Sequence, residues 1–368
     1  MSFLTSTQIL IHELEATPGT GITPIESYAT SERVRELDFS MEVSKDDEAS
    51  KYLTGDYAGN DESIIGMKTG TASYSIKVAP GEIRPTSTSG VYSHVLTYKD
   101  YLANAGLEVT PIGTASSDAT PGTYHFYPSA TKASATATVA RISKDSEFDA
   151  PASGYMIEKL VGAMSNLTIS VDGVGKPFTM AFETQGAVDS VYNVPVISGF
   201  NEAGINRTVA DNFISTTVQI TELGPNGTLV GTPYQFCVNK VTFETGNELS
   251  PIECQSSSSG IRNYIITAMN PTIEIDPLLQ TLAQFNYWAG FTNEKFYKIE
   301  IISAFVSIMV PRAQILNSAI ADSNGFLRNT LSMRALRNID KMNYNGVLGT
   351  GNAQSMYYIS IKESIANY

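Results

Sequence analysis

The stretch that most restricts this chain runs from Ser165 to Gly186, SNLTISVDGVGKPFTMAFETQG, two alternating segments around a Gly-rich reversal. Leu167, Ile169 and Val171 fall on one face and Asn166, Thr168, Ser170 and Asp172 on the other, the period-2 pattern of a half-buried strand. The return repeats it, with Phe178, Met180 and Phe182 pointing one way and Thr179, Ala181 and Glu183 the other. Gly173, Gly175 and Pro177 supply the backbone angles that the reversal needs. The sequence therefore predicts a β-hairpin with an apolar face to bury and a small, polar, mildly acidic face to leave in water.

Strand signals of this kind recur along the chain. Residues 71–79 (TASYSIKVA), 122–128, 135–142, 215–221, 234–243, 261–268, 296–310, 330–336 and 355–361 read as strands, and Gly246-Asn247 marks a tight turn. A helical stripe at Val91, Val95, Tyr98 and Leu102 predicts a helix of about four turns, capped by Ser89 and ended by Gly106. Asp276 before Pro277 predicts a second, short helix reaching Phe285, with Leu278, Leu282 and Phe285 inward. The apolar run at 299–310 (IEIISAFVSIMV) is too short for a membrane helix and reads as one buried strand. Many short strands with one or two helices indicate a mainly β chain, an antiparallel β-sandwich or barrel with one flanking helix.

Charge divides the chain unevenly. The 24 Lys+Arg against 37 Asp+Glu give −13, which argues against a protein that grips nucleic acid by neutralising phosphates. Residues 1–62 hold 13 acidic and 4 basic side chains and a Pro/Gly loop at 17–24, and read as an acidic extended N-terminal arm. Residues 63–340 form the main domain and 341–368 an extension with a final strand. Cys237 and Cys254 are too few for a disulfide framework, so free thiols and assembly in a reducing cytoplasm are expected. Met1-Ser2-Phe3-Leu4 leads into polar residues, so no secretory leader is expected, and the glycosylation patterns at Asn166, Asn206 and Asn226 carry no weight.

Catalytic signatures are missing from the sequence. His12, His94 and His125 are too scattered to suggest a zinc pair or a Ser-His-Asp set, and each reads as an ordinary surface or core residue. Gly19-Thr20-Gly21 is no dinucleotide fingerprint, because Pro24 stands where the third glycine belongs. Asp46-Asp47 reads as a solvated charge run rather than a cation site. Neither an enzyme nor a cofactor is expected.

Several stretches together resemble the major tail tube proteins of long-tailed bacteriophages, up to about residue 340. They are Glu15-Ala-Thr-Pro-Gly-Thr, Lys159-Leu-Val-Gly-Ala-Met-Ser-Asn-Leu-Thr-Ile-Ser-Val, Val241-Thr-Phe-Glu-Thr-Gly-Asn-Glu-Leu, and Val310-Pro-Arg-Ala-Gln-Ile followed by Asp322-Ser-Asn-Gly-Phe. The resemblance implies a β-sandwich subunit assembled into stacked six-fold rings, a virion tail tube through which viral DNA passes without specific binding. It also implies the tape measure, tail terminator and baseplate or tip as further partners, and no membrane. On that footing Asn166, Thr168, Ser170, Asp172, Thr179 and Glu183 are expected to line the lumen. Residues 295–341 carry seven basic and three acidic side chains. Glu32, Glu36 and Asp38 of the arm are therefore expected to meet Arg312, Arg328, Arg334 and Arg337 of the next ring. A virion decoration or receptor-binding adhesin is the alternative, and a sugar-acting enzyme on a β scaffold a more distant one.

Overall fold

The computed structural model describes residues 3–25, 37–46, 64–85, 92–95, 99–112, 122–145, 154–194, 213–224, 227–323, 325–337 and 355–365. The chain begins with β1 (Phe3–Leu14), β2 (Leu37–Asp46), β3 (Ile64–Lys77), β4 (Gly81–Pro85) and β5 (Tyr92–Val95). After the helix α1 (Lys99–Asn104) come β6 (Leu107–Ile112), β7 (Thr123–Pro128), β8 (Ala137–Asp145) and the central pair β9 (Tyr155–Asp172) and β10 (Thr179–Val194). The second half opens with β11 (Thr217–Leu223), β12 (Leu229–Phe236), β13 (Val238–Glu244), β14 (Asn247–Glu253), β15 (Ile261–Met269) and β16 (Thr272–Pro277). It continues through the helix α2 (Tyr287–Thr292) to β17 (Phe296–Ile302), β18 (Val306–Ser323), β19 (Phe326–Ala335) and β20 (Tyr358–Ile365). The protein is mainly β, and among the described residues its pairings are antiparallel apart from β20 beside β4.

The predicted central hairpin forms as β9 and β10, with Thr179 opposite Ser170, Ala181 opposite Thr168 and Glu183 opposite Asn166. Gly173 (φ 141°) and Gly175 (φ 80°) take the backbone angles that side-chain-bearing residues avoid. Around this hairpin the main ladder runs β2–β3–β10–β9–β13–β16–β19–β18. From β18 pairing continues on one side through β17 and β11 to β12, and on the other through β20 and β7 to β6. β1 joins β8, which joins the first half of β9. β14 and β15 form a hairpin of their own.

One side of the ladder is sealed. Phe39, Tyr74, Phe182, Leu167, Ile169, Val171, Val241, Phe243, Ile273, Ile275, Leu331 and Met333 all belong to one continuous buried cluster that also takes in residues of β17, β18 and β20. Phe178 and Met180, the remaining members of the apolar hairpin face, are 1% and 0% exposed. At about 1.5–3 kcal/mol for each fully buried large apolar side chain, this side dominates the stability of the fold.

Four sequence expectations need correction. The four-turn helix does not form as expected, because Tyr92–Val95 is a strand paired with β4 and α1 spans Lys99–Asn104; Ser89, Val91 and Tyr98 lie outside the described residues. Gly106 (φ 84°) does end it, its N–H donating to the Ala103 carbonyl. The second helix starts ten residues late, at Tyr287, with Asn286 as its cap. Asp276 is engaged elsewhere: its Oδ1 accepts the backbone N–H groups of Asn239 (2.8 Å) and Lys240 (2.5 Å) on β13. Finally, the run at 299–310 is two strands, not one. It turns at Ser303, whose N–H donates to Val306 O at 2.8 Å, and pairs with itself as β17 and β18. The expected strand at 234–243 is likewise divided, between β12 and β13.

Candidate assembly surface

Because side chains alternate across a strand, sealing one side of the ladder fixes what the other side shows. Row by row, the second side sets Lys77, Thr179, Ser170, Thr242, Glu274 and Ser332 beside one another, and above them Ser75, Ala181, Thr168, Glu244, Thr272 and Arg334. Asp38, Ser40 and Glu42 on β2 continue the same side past Ser73, Thr71 and Thr69 of β3. The result is a face of hydroxyls, carboxylates and a few cations across seven strands, interrupted by Ala181 and the buried Ser75.

The six residues expected on a lumen wall all lie on this face, and they differ in freedom. Asp172 and Glu183 are exposed, while Thr168, Ser170 and Thr179 are half-buried by their strand neighbours. The Asp172 carboxylate lies 3.7 Å from the Lys240 ammonium across the β9–β13 pairing, a solvated ion pair that moderates its charge. Asn166 is held in place, its Oδ1 accepting from the Thr245 hydroxyl at 2.8 Å and the Asn247 N–H at 3.0 Å. Its chemistry is spent inside the chain.

The residues expected at ring contacts are spread more widely. Glu32 and Glu36 lie outside the described residues. Asp38 is exposed on β2, whereas Arg334 is exposed on β19, near the far edge of the same ladder. Several cations of the basic region have partners at home: Lys295 with Glu222 (2.8 Å), Lys298 with Glu300 (2.7 Å) and Arg328 with Asp276 (3.7 Å). The Arg312 guanidinium sits 4.0 Å from the centre of the Phe296 ring, and Arg337 is exposed. The two described strands of the acidic arm, β1 and β2, pair with the chain's own β8 and β3.

Two features were not legible in the sequence. Glu15 forms a four-way clamp: Oε2 accepts from Gly19 N–H and Thr136 Oγ1, both at 2.7 Å, and Oε1 from Gly162 N–H (2.8 Å) and Thr138 Oγ1 (2.9 Å). It fastens the Pro/Gly loop to β8 and to a bend in β9, where Gly162 has φ 59°. Asn104 at the end of α1 donates to the carbonyls of Ala135 and Ala163 and accepts from Ser165 Oγ.

The groups that could do chemistry are dispersed. His12 is buried and stacked on Tyr101 with ring centres 4.3 Å apart, and burial lowers its pKa to about 4. His125 is also lowered to about 4 by burial, its Nδ1 lying 2.7 Å from Ser360 Oγ. Cys237 and Cys254 are free thiols. Ser256, at 3.1 Å, is the largest cause of a lowered Cys254 pKa, on a cavity of about 410 Å³ also lined by Gly19, Asp189 and Arg262. Among the described residues no three His, Cys, Asp or Glu side chains gather as a metal site, and no helix is long and apolar enough to cross a membrane.

No protein-family model matches the chain, and no curated protein matches it. Among solved structures, a chain of the anti-feeding prophage baseplate, determined by cryo-EM with six-fold symmetrisation, is similar over 35% of this chain and 91% of that one. The identity is 13% and the TM-score 0.26, a level at which the likeness carries no argument.

Proposed function

We propose that the chain is a structural virion protein of the tail tube type, a subunit that closes with its copies into rings and stacks them into a hollow conduit for viral DNA. The observation that carries this reading is the polar face of the main ladder, set against a sealed apolar side and bounded by strand edges that are open among the described residues. An open edge is a liability in a lone subunit, and closing the sheets of several copies into one barrel removes it while leaving the polar face toward water. Such a wall suits passing DNA. Phosphates near Asp172, Glu183 and Glu244 meet repulsion or weak contact, whereas a wall rich in Lys and Arg would hold them by counterion release.

The purified full-length protein is expected to form rings or filaments as its concentration rises, with a stain-filled axial channel in negative-stain micrographs. A trimeric or monomeric particle that never forms rings or filaments would overturn the tube and favour an adhesin or decoration protein. That second reading draws on the exposed aromatic pair Trp288 and Phe291 on α2.

A further inference from the structure

The strand pairings contain the same arrangement twice. In residues 3–194, β1 pairs with β8 and β8 with β9; β2 pairs with β3, β3 with β10 and β10 with β9. In residues 217–335, β11 pairs with β17 and β17 with β18; β13 pairs with β16, β16 with β19 and β19 with β18. Each set of four adjacent ladder strands thus has the spatial order first, second, fourth, third. The helices repeat as well. Each falls between the second and third of those strands, and α1 packs on β9 as α2 packs on β18. Even the long third strands match, since β9 and β18 both take their preceding strand along the first half and both span 18 residues.

Within the chain the two units are joined in one way: the last part of β9 accepts β13, the first ladder strand of the second unit, from Thr168 beside Glu244 to Asp172 beside Lys240. The matching part of β18 is open. Its pairing with β17 ends at Gln314, and among the described residues 317–323 pair with β19 alone. The other open edge is β2, the first strand of the first unit, which among the described residues pairs with β3 alone. Both edges leave apolar side chains uncovered on the side that elsewhere faces the core, Val43 at 44% and Ile320 at 51% exposure. On the polar side β2 carries Asp38 and Glu42, while the strand behind β18 carries Arg328, which Asp276 already partners, and Arg334, which stands beside Gln314 just before the open segment.

We propose that the chain is a tandem duplication of one ring-forming unit, and that the end of β18 in one copy takes β2 of the next copy as β9 takes β13 within the chain. This rests on the ring reading above and changes its count: a ring with six-fold quasi-symmetry holds three chains, each supplying two units. The occupant of the open edge is a second copy of this chain, because the intramolecular joint between β9 and β13 already displays a fitting contact and both free edges carry uncovered apolar side chains.

The mass of the isolated ring tests the count, and paired variants test the edge. Light scattering on wild-type rings is expected to give three chains of 39.7 kDa. Because Val43 and Ile320 are exposed in the single chain, Val43→Asp and Ile320→Asp are expected to leave its melting and far-UV spectrum unchanged while raising the concentration needed for ring closure by about tenfold or more. The milder Val43→Ser and Ile320→Ser are expected to act in the same direction, guarding against a folding defect. Rings of six chains, or variants that close at the wild-type concentration, would overturn the proposal and leave the tube intact. Three-chain rings that never stack would overturn the tube and leave this proposal standing. A ring whose β18 edge is covered by another virion protein, with β2 free, would overturn the choice of a second copy.

Discussion

The two halves of the ladder reach the same strand order with different chemistry. In the first half polar fasteners join the packing of Tyr101 on His12, Tyr74 and Phe182: the Glu15 clamp, the Asn104 bonds to Ala135 and Ala163, and the Ser165 and Thr184 hydroxyls 2.7 Å apart. In the second half aromatic rings hold the segment around α2. Phe285, just ahead of α2, packs on Tyr234, Phe236 and Tyr297 with ring centres 5.0–5.9 Å apart, and Tyr297 lies under Gly290 of the helix. The difference shows that the arrangement of strands constrains a sequence far less than the apolar alternation does. Polar fasteners are specific and depend on protonation, whereas ring packing depends on volume.

Three measurements sharpen that contrast. The largest effect is expected from Tyr297→Ala, which removes a 2%-exposed ring and should cost about 3–5 kcal/mol, read as a lower denaturation midpoint. Amide exchange should then rise around α2 and β17 while the first half keeps its protection; uniform loss would mean the halves are not separately fastened. Next, Glu15→Leu leaves two backbone N–H groups and two hydroxyls without their acceptor and should cost about 3 kcal/mol, with exchange rising at Gly19 and Gly162 instead. A midpoint unchanged within error would show the clamp to be ornamental.

The smallest effect is acid sensitivity, which should belong to the first half. The folded pKa of His12 is about 4, below its ordinary value of 6.5, so the folded state disfavours the proton. Stability is then complete above pH 6.5 and falls as pH drops toward 4, by about 2 kcal/mol between pH 7 and 5 for one such histidine. His125 acts in the same direction. His12→Phe should flatten part of this acid slope, and a slope that stays as steep would remove His12 from the account.

The hairpin at 165–186 was legible because period-2 alternation and glycines with special backbone angles are local signals. Its two faces divide as alternation requires. The helices were not legible, for a physical reason: Val91, Val95, Tyr98 and Leu102 are spaced for a helix, yet the segment at 92–95 gains more by pairing with β4. Asp276 and Pro277 look like a helix start, but the carboxylate serves the N–H groups of a neighbouring strand. The turn at Ser303 hides inside an apolar run because no glycine, proline or asparagine announces it. The Glu15 clamp joins residues 147 positions apart, a contact that spacing does not encode. The repeated strand order is not legible in the sequence because it resides in pairing order, with different side chains filling each copy. In the charge pattern, the acidic and basic ends were visible, but their positions at opposite edges of one ladder required the fold.

β9 and β18 each serve different neighbours along their length, and that has a mechanical consequence. At about 3.3 Å per residue, a strand of 18 residues spans at most about 60 Å, and β9 spans less because it bends at Gly162. A pull along such a strand loads its flanking hydrogen bonds in parallel, so they must shear together, whereas a pull across it would peel them one at a time. Since each long strand changes partners partway, the load entering at one end is handed to a different strand at the other. The fold is accordingly stiff along its strands and compliant across them.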